Sequence, residues 1–280
     1  MKSIKLLFLV LLLSTSFSNA QMILNAESLR VNMLKGKEDW SGRAGLNFGF
    51  IKNTNDIYLI STNLAVGYNG GKNLWMIISN FHFQKVGENA FQNSGVQHFR
   101  YNRELTESIT FEAFLQGQFD KISSVDFRGL AGAGARFKLT KNLEIKSKVN
   151  TNNYVDTKAK KSRIYLGTLI MHEYEKSFEL EIDVKRKDFR SSNYLSFSLF
   201  PTDQISIIST TYYQPRLDKF KDYRVSSTLN LNISFSSKKE ESFWDKLSFN
   251  MNFSYNYDAF PVISIPKTQY SLTNGFSFNF

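Results

Sequence analysis

Three histidines, His82, His98 and His172, are the only imidazoles in the chain, and it has no cysteine. Any serine-histidine nucleophile or imidazole metal site must be built from these three. No G-x-S-x-G elbow is present, and no third, orienting residue can be assembled around such a pair, so an enzyme is not the expected reading. An acid pair for other hydrolytic chemistry is equally hard to place. His82 and His98 would face each other across a hairpin if the segment between them turns near Ala90. Two imidazoles there could bind a metal or sense pH, or be ordinary polar lining. No third ligand has suitable spacing, so no metal and no cofactor is expected. "GLAGAGARF" has the glycine content of a phosphate-cradling loop but lacks the lysine and the following helix, and it reads as a strand.

The second set of candidate residues is ionic. Arg100, Glu112, Gln116, Asp126, Arg128 and Arg136 fall at spacings that could form a ladder across three neighbouring strands. With turns centred on Thr106 and near Ile122, Arg100 lies opposite Glu112, Asn102 opposite Thr110, Gln116 opposite Arg128 and Gln118 opposite Asp126. Such a ladder is either an ion-pair scaffold or the charge-selective lining of a pore, and the scaffold is favoured because neighbouring opposite charges cancel. Separately, "KAKKSR", "KRKDFR" and "RLDKFKDYR" concentrate positive charge. Lys158, Lys160, Lys161, Arg163, Lys185, Arg186 and Lys187 are therefore candidates to bind the phosphates of lipopolysaccharide, the alternative being solvated loop charges.

These residues must be positioned by strands. Residues 247–257 alternate Leu247, Phe249, Met251, Phe253, Tyr255 and Tyr257 with serine and asparagine, and residues 223–235 repeat the pattern. Less regular segments lie at about 40–50, 57–68, 73–85, 95–104, 108–119, 124–139, 142–151, 163–173, 177–186, 193–200, 203–213 and 268–280. Together these give fourteen strands, or twelve if the weak region 142–173 loses a hairpin. The expected fold is an all-β, transmembrane, antiparallel up-and-down β-barrel. If the first strand runs outward, the periplasmic turns are "NGGK", "ELTES", "TKN", "EYEK", "PTDQ" and "SSKKEESFWDK". The external connections are then "VGENAFQNSG", "TNNYVDTKAKKS", "KRKDFRSS", "YQPRLDKFKD" and "DAFPVISIPKT". In this scheme Trp40, Trp75 and Trp244 fall at periplasmic strand ends, where an interfacial girdle belongs.

The termini fit export. Lys2 and Lys5 precede an apolar run from Leu6 to Leu13 and then "SNA", the pattern of a signal peptide over residues 1–20, cleaved after Ala20. Removing those two lysines takes the formal charge from +10 to +8, which favours anionic partners, while export argues against nucleic acid. Residues 21–39 are expected to be a periplasmic segment, too short to plug a wide barrel, and residues 40–280 the barrel. The chain ends on Phe276, Phe278 and Phe280. Unpaired strand edges are costly in lipid, so the last strand is expected to pair with the first. This ending resembles the aromatic signal read by the outer-membrane barrel assembly machinery, an expected partner during biogenesis.

As a group, "HFRYNRELTESITFEAFLQGQFDK", "DFRGLAGAGARFKL", "YLGTLIMHEYE", "SNYLSFSLF" and "TTYYQP" followed by "DYR" resemble the outer-membrane family called domain of unknown function 481, which includes YdiY-like, salt-stress-induced proteins. The resemblance runs from about Trp40 to Phe280 and implies a barrel in the outer membrane of a Gram-negative bacterium, but no activity and no site residues. The expected function is thus a non-enzymatic barrel, either a narrow passive pore or an envelope-stress structural protein. The alternatives are an outer-membrane hydrolase or acyltransferase, and a transporter of a hydrophobic ligand.

Overall fold

The computed structural model describes residues 39–52, 56–87, 89–140, 143–144, 161–179, 182–202, 204–235 and 247–278. The strands are β1 (Asp39–Lys52), β2 (Asp56–Gly70), β3 (Asn73–Val86), β4 (Asn89–Glu104), β5 (Ile109–Asp120), β6 (Val125–Lys138), β7 (Leu143–Glu144), β8 (Lys161–Glu179), β9 (Ile182–Thr202), β10 (Ile205–Pro215), β11 (Tyr223–Ser234), β12 (Leu247–Asp258) and β13 (Thr268–Phe278). Twelve of them pair antiparallel with their neighbours in chain order, and the two-residue β7 pairs with β8. The fold is all-β, one up-and-down sheet of twelve strands.

Among the described residues the count is thus twelve, the alternative to fourteen that the sequence allowed. Residues 142–151 contribute only Leu143–Glu144 to the described residues, and the three segments over 163–200 are two long strands of 19 and 21 residues. "EYEK" is not a turn but lies within β8, and "KRKDFRSS" is not a loop but lies within β9. Charge-rich stretches resemble turns when read alone; here an inward-facing ionic network keeps them in the ladder.

The β3–β4 hairpin is also tighter than expected. Val86 pairs with Asn89, helped by a left-handed Gly87 (φ 59°), so most of "VGENAFQNSG" is strand. The hairpin turns between Val86 and Asn89, before Ala90, with a bulge at Gln84/Lys85. His82 therefore lies opposite Ser94, and His98 opposite Ile78.

Period-two alternation sends one set of side chains outward and the other into the curl of the sheet. The outward set is apolar and exposed, including Leu46, Phe48, Leu115, Ile170 and Phe276. Two aromatic belts ring it. On the rim where β1 begins and β13 ends, here the near rim, Trp40 packs on Tyr68 (5.1 Å between centroids), Trp75 on Tyr101 (4.1 Å), and Phe249 on Phe276 (5.2 Å). Toward the far rim, Phe50 packs on Tyr58, Phe127 on Tyr174, and Tyr223 on Tyr213 and Tyr257. Trp40 and Phe50 are ten residues apart on β1, about 33 Å along the strand and about 25 Å across the belt at a 40° tilt. Trp244 and Phe280 lie outside the described residues.

The sheet curls far enough for non-neighbouring strands to bond across its interior. Tyr194 Oη on β9 donates to Glu112 Oε2 on β5 (2.5 Å), and Arg224 on β11 reaches Glu173 and Glu175 on β8. The expected closure of the first strand against the last does not hold among the described residues, where the strand path runs from β1 to β13 with no ladder between them. The cross-lumen bonds that set the curl lie on strands away from that seam.

Candidate functional site

The inward face of β4, β5, β6, β8 and β9 carries most of the buried charge, and Asp222, Arg224 and Asp258 add the rest. Its lower half, toward the near rim, is built on Glu112. Arg100 Nη2 donates to Glu112 Oε2 at 2.8 Å, and Arg136 Nη1 lies 3.6 Å from Oε1. Arg136 also stacks over the Tyr165 ring, 3.6 Å from its centroid. The ion pair anticipated between Arg100 and Glu112 is therefore present, but in a different register. Arg100 is directly opposite Phe114, Asn102 opposite Glu112, and the arginine reaches its partner diagonally. The next register is corrected in the same way: Gln116 lies opposite Leu130, and Gln118 opposite Arg128.

Asp126 leaves the ladder altogether. Bulges at Gln118/Asp120 and Val125/Phe127 turn it outward, where it is 55% exposed and paired with Lys176 at 2.8 Å. Exposed pairs contribute about 0–1 kcal/mol. Asp126→Asn should accordingly leave the unfolding midpoint of the refolded protein nearly unchanged; a loss comparable to that of an interior variant would contradict this placement.

The upper half is a larger cluster that the sequence did not reveal. Glu173 sits among three arginines: Arg128 Nε at 2.7 Å, Arg190 Nε at 2.8 Å, and Arg224 Nη1. Arg224 also binds Glu175 (3.1 Å) and Asp258 (2.7 Å), while Arg190 binds Asp188 (3.2 Å) and Asp222 (2.9 Å). Arg186 and Arg216 complete the edge, on Asp188 at 2.9 Å and 3.3 Å. Five arginines thus meet Glu173, Glu175, Asp188, Asp222 and Asp258, and the formal charges cancel. Arg216 also holds Asp218 in the exposed loop, and that hydrogen bond lowers the Asp218 carboxyl to about 2.

Local folding explains how the cluster assembles. β8 and β9 run on past the ends of β10 and β11, and the 216–222 connection docks against them, with Leu217 N donating to Phe189 O at 2.8 Å. That docking buries Asp222. On the far rim the 259–267 connection buries Ala259 and Ile263, and its Phe260 carbonyl accepts from Arg186 Nη1 at 2.9 Å.

Between the two halves lies a cavity of about 40 Å³ bordered by His98, Gln116, Gln118, Arg128, Ser192 and Gln214, room for a few waters. His98 Nδ1 is 2.9 Å from Gln116 Oε1, while Nε2 is buried without a hydrogen-bond partner among the described residues. His82 is not beside it, and His172 points outward against Phe189. Among the described residues no group of three His, Cys, Asp or Glu is arranged to hold a metal.

The basic segments do not share one rim. Arg163 pairs with Ser198 near the start of β8, at the near rim, whereas Lys185 pairs with Lys176 near the far rim. The expectation that both clusters lie on the same external side is therefore corrected. Lys161 lies in β8, and Lys158 and Lys160 fall outside the described residues. Lys185 and Lys187 are exposed, while Arg186 turns into the cluster.

The wall formed by β11, β12 and β13 is uncharged below its first rung. Below the rung Arg224–Asp258, β11, β12 and β13 place side by side Ser226–Asn256–Gln269, Thr228–Ser254–Ser271, Asn230–Asn252–Thr273, Asn232–Asn250–Gly275 and Ser234–Ser248–Ser277. Their opposite faces are the apolar residues of the outer surface.

Fold and interior together define a β-barrel with an apolar, twice-belted exterior and a lumen half ionic and half neutral. Residues 60–280 match the family described as "Protein of unknown function, DUF481", and the chain belongs to that family. A solved structure titled "NanC porin structure in rhombohedral crystal form" is similar at 12% identity, covering 79% of this chain and 94% of that one, with a TM-score of 0.40. No curated protein matches the chain.

Proposed function

We propose that the protein is a non-enzymatic outer-membrane barrel that acts as a narrow passive pore, exported by a signal peptide and seated with its near rim toward the periplasm. The observation that carries this reading is the pairing of an apolar, aromatic-belted exterior with a polar interior whose charges are mostly paired with one another. A charge facing lipid costs about 2–4 kcal/mol at the midplane, which favours lumen for the ionic face. The near rim is assigned to the periplasm because β1 starts and β13 ends there. On this orientation, contact with lipopolysaccharide phosphates falls to Lys185 and Lys187 at the far rim, and Phe276 and Phe278 serve the assembly machinery.

The ionic cluster acts as a rigid scaffold on one wall, not as a filter. In the Glu173 group each arginine is matched by a carboxylate, and such pairs offer little net field to a passing ion. Single-channel recording of the refolded protein in a planar bilayer tests the reading. Discrete steps with a cation/anion permeability ratio near one are expected. A heat-modifiable, inserted protein that passes no current would overturn the pore.

A further inference from the structure

We infer that the uncharged wall of β11, β12 and β13 is a transit site for neutral, hydroxyl-bearing solutes. This inference rests on the pore reading above and names its substrate class. Five successive rungs below Arg224–Asp258 carry only serine, threonine, asparagine, glutamine or glycine, with Asn232–Asn250–Gly275 and Asn230–Asn252–Thr273 at the centre. From Ser226 to Ser234 the strip is nine residues long, about 26 Å along the strand and about 20 Å in depth at a 40° tilt, most of the hydrocarbon layer it would cross.

The rungs are cross-linked in a way that leaves capacity for a guest. Asn232 Nδ2 donates to Asn250 Oδ1 (2.5 Å), and Asn250 Nδ2 donates to Ser277 Oγ (3.0 Å). Each amide has two N–H donors and two acceptor lone pairs, so these bonds fix the orientation of the groups without exhausting them. A sugar-like solute shedding water finds both donors and acceptors along the whole path, replacing each lost hydrogen bond. An ion finds dipoles but no counter-charge until the far-rim rung, where Arg224 and Asp258 already neutralise each other at 2.7 Å. On the ionic wall the five arginines of the Glu173 group are matched by five carboxylates, so that group supplies no alternative. Differential desolvation therefore favours the neutral solute.

The test is osmotic swelling of liposomes holding the refolded full chain, comparing glucose with gluconate, alongside potassium chloride conductance. Glucose is expected to enter about tenfold faster than gluconate, a ratio that a modest difference in desolvation produces. Asn250→Asp, which places a carboxylate on the rung next to the central one, should shift the conductance toward cations and lower gluconate entry further. Asn252→Asp, on the exposed rung beside it, should do the same and guards against a folding failure in the first variant. Chloride and potassium current with equal glucose and gluconate rates, or no change of ion preference in either folded variant, would overturn the inference and leave the pore standing. No current and no swelling would overturn the pore and the inference with it.

Discussion

Glu173→Ala should destabilise the barrel by about 3–5 kcal/mol, the cost of stripping the partner from a buried ionic centre. The carboxylate is 1% exposed and bridges Arg128, Arg190 and Arg224, which are 2%, 0% and 2% exposed. Removing it leaves five arginines with four carboxylates, and the surplus charge sits where water does not reach. Neither Glu175 nor Asp258 can replace it, since Arg224 already engages both and Arg190 is bonded elsewhere. Glu173→Gln keeps the shape and one acceptor, so its loss should be smaller, about 1–3 kcal/mol. Tryptophan fluorescence across a urea series, with mobility of the unheated sample on a gel as a second probe, gives the midpoints. A Glu173→Ala midpoint indistinguishable from the parent would show that the cluster does not hold the barrel together.

That Glu173 was not anticipated, while Arg100 and Glu112 were, follows from what alternation encodes. Parity is written in the sequence: Arg100, Glu112, Gln116, Arg128 and Arg136 share one face because each stands among apolar neighbours of the opposite parity. Register is not, because it depends on the residues consumed by turns and bulges. One residue of shift in the turn centre moved Arg100 from opposite Glu112 to opposite Phe114 without changing its face. Two bulges flanking the turn were enough to send Asp126 outward.

In β8 the signal was present but easily misread. Leu169, Met171, Glu173, Glu175 and Ser177 alternate with Ile170, His172, Tyr174 and Lys176 as regularly as any strand, yet "EYEK" also has the composition of a turn. The arginines that neutralise these acids come from β6, β9 and β11, as far as 51 residues away in sequence, a separation at which local pattern carries no information.

Gly167→Val should cost about 3 kcal/mol or more, by combining overpacking with the loss of a buried hydrogen bond. Gly167 lies on β8 opposite Tyr194 of β9, and a side chain there would occupy the space of the tyrosine ring. The ring cannot slide aside, because its hydroxyl is bonded to Glu112 across the lumen at 2.5 Å and its face packs on Tyr212, 5.3 Å between centroids. Valine would therefore expel Tyr194 and remove one of the donors that keeps the buried Glu112 carboxylate solvated. Tyr194→Phe isolates the hydrogen bond and should cost only about 1–2 kcal/mol. Tyr194→Ala clears the space over Gly167, so adding Gly167→Val to it should cost much less than adding it to the parent. Such non-additivity is the signature of two residues in direct contact, and additive losses in the urea midpoints would mean that the ring does not rest on the glycine. Because Arg100 and Arg136 share Glu112 with Tyr194, the same series asks whether the lower ionic group depends on an aromatic anchor from the opposite wall.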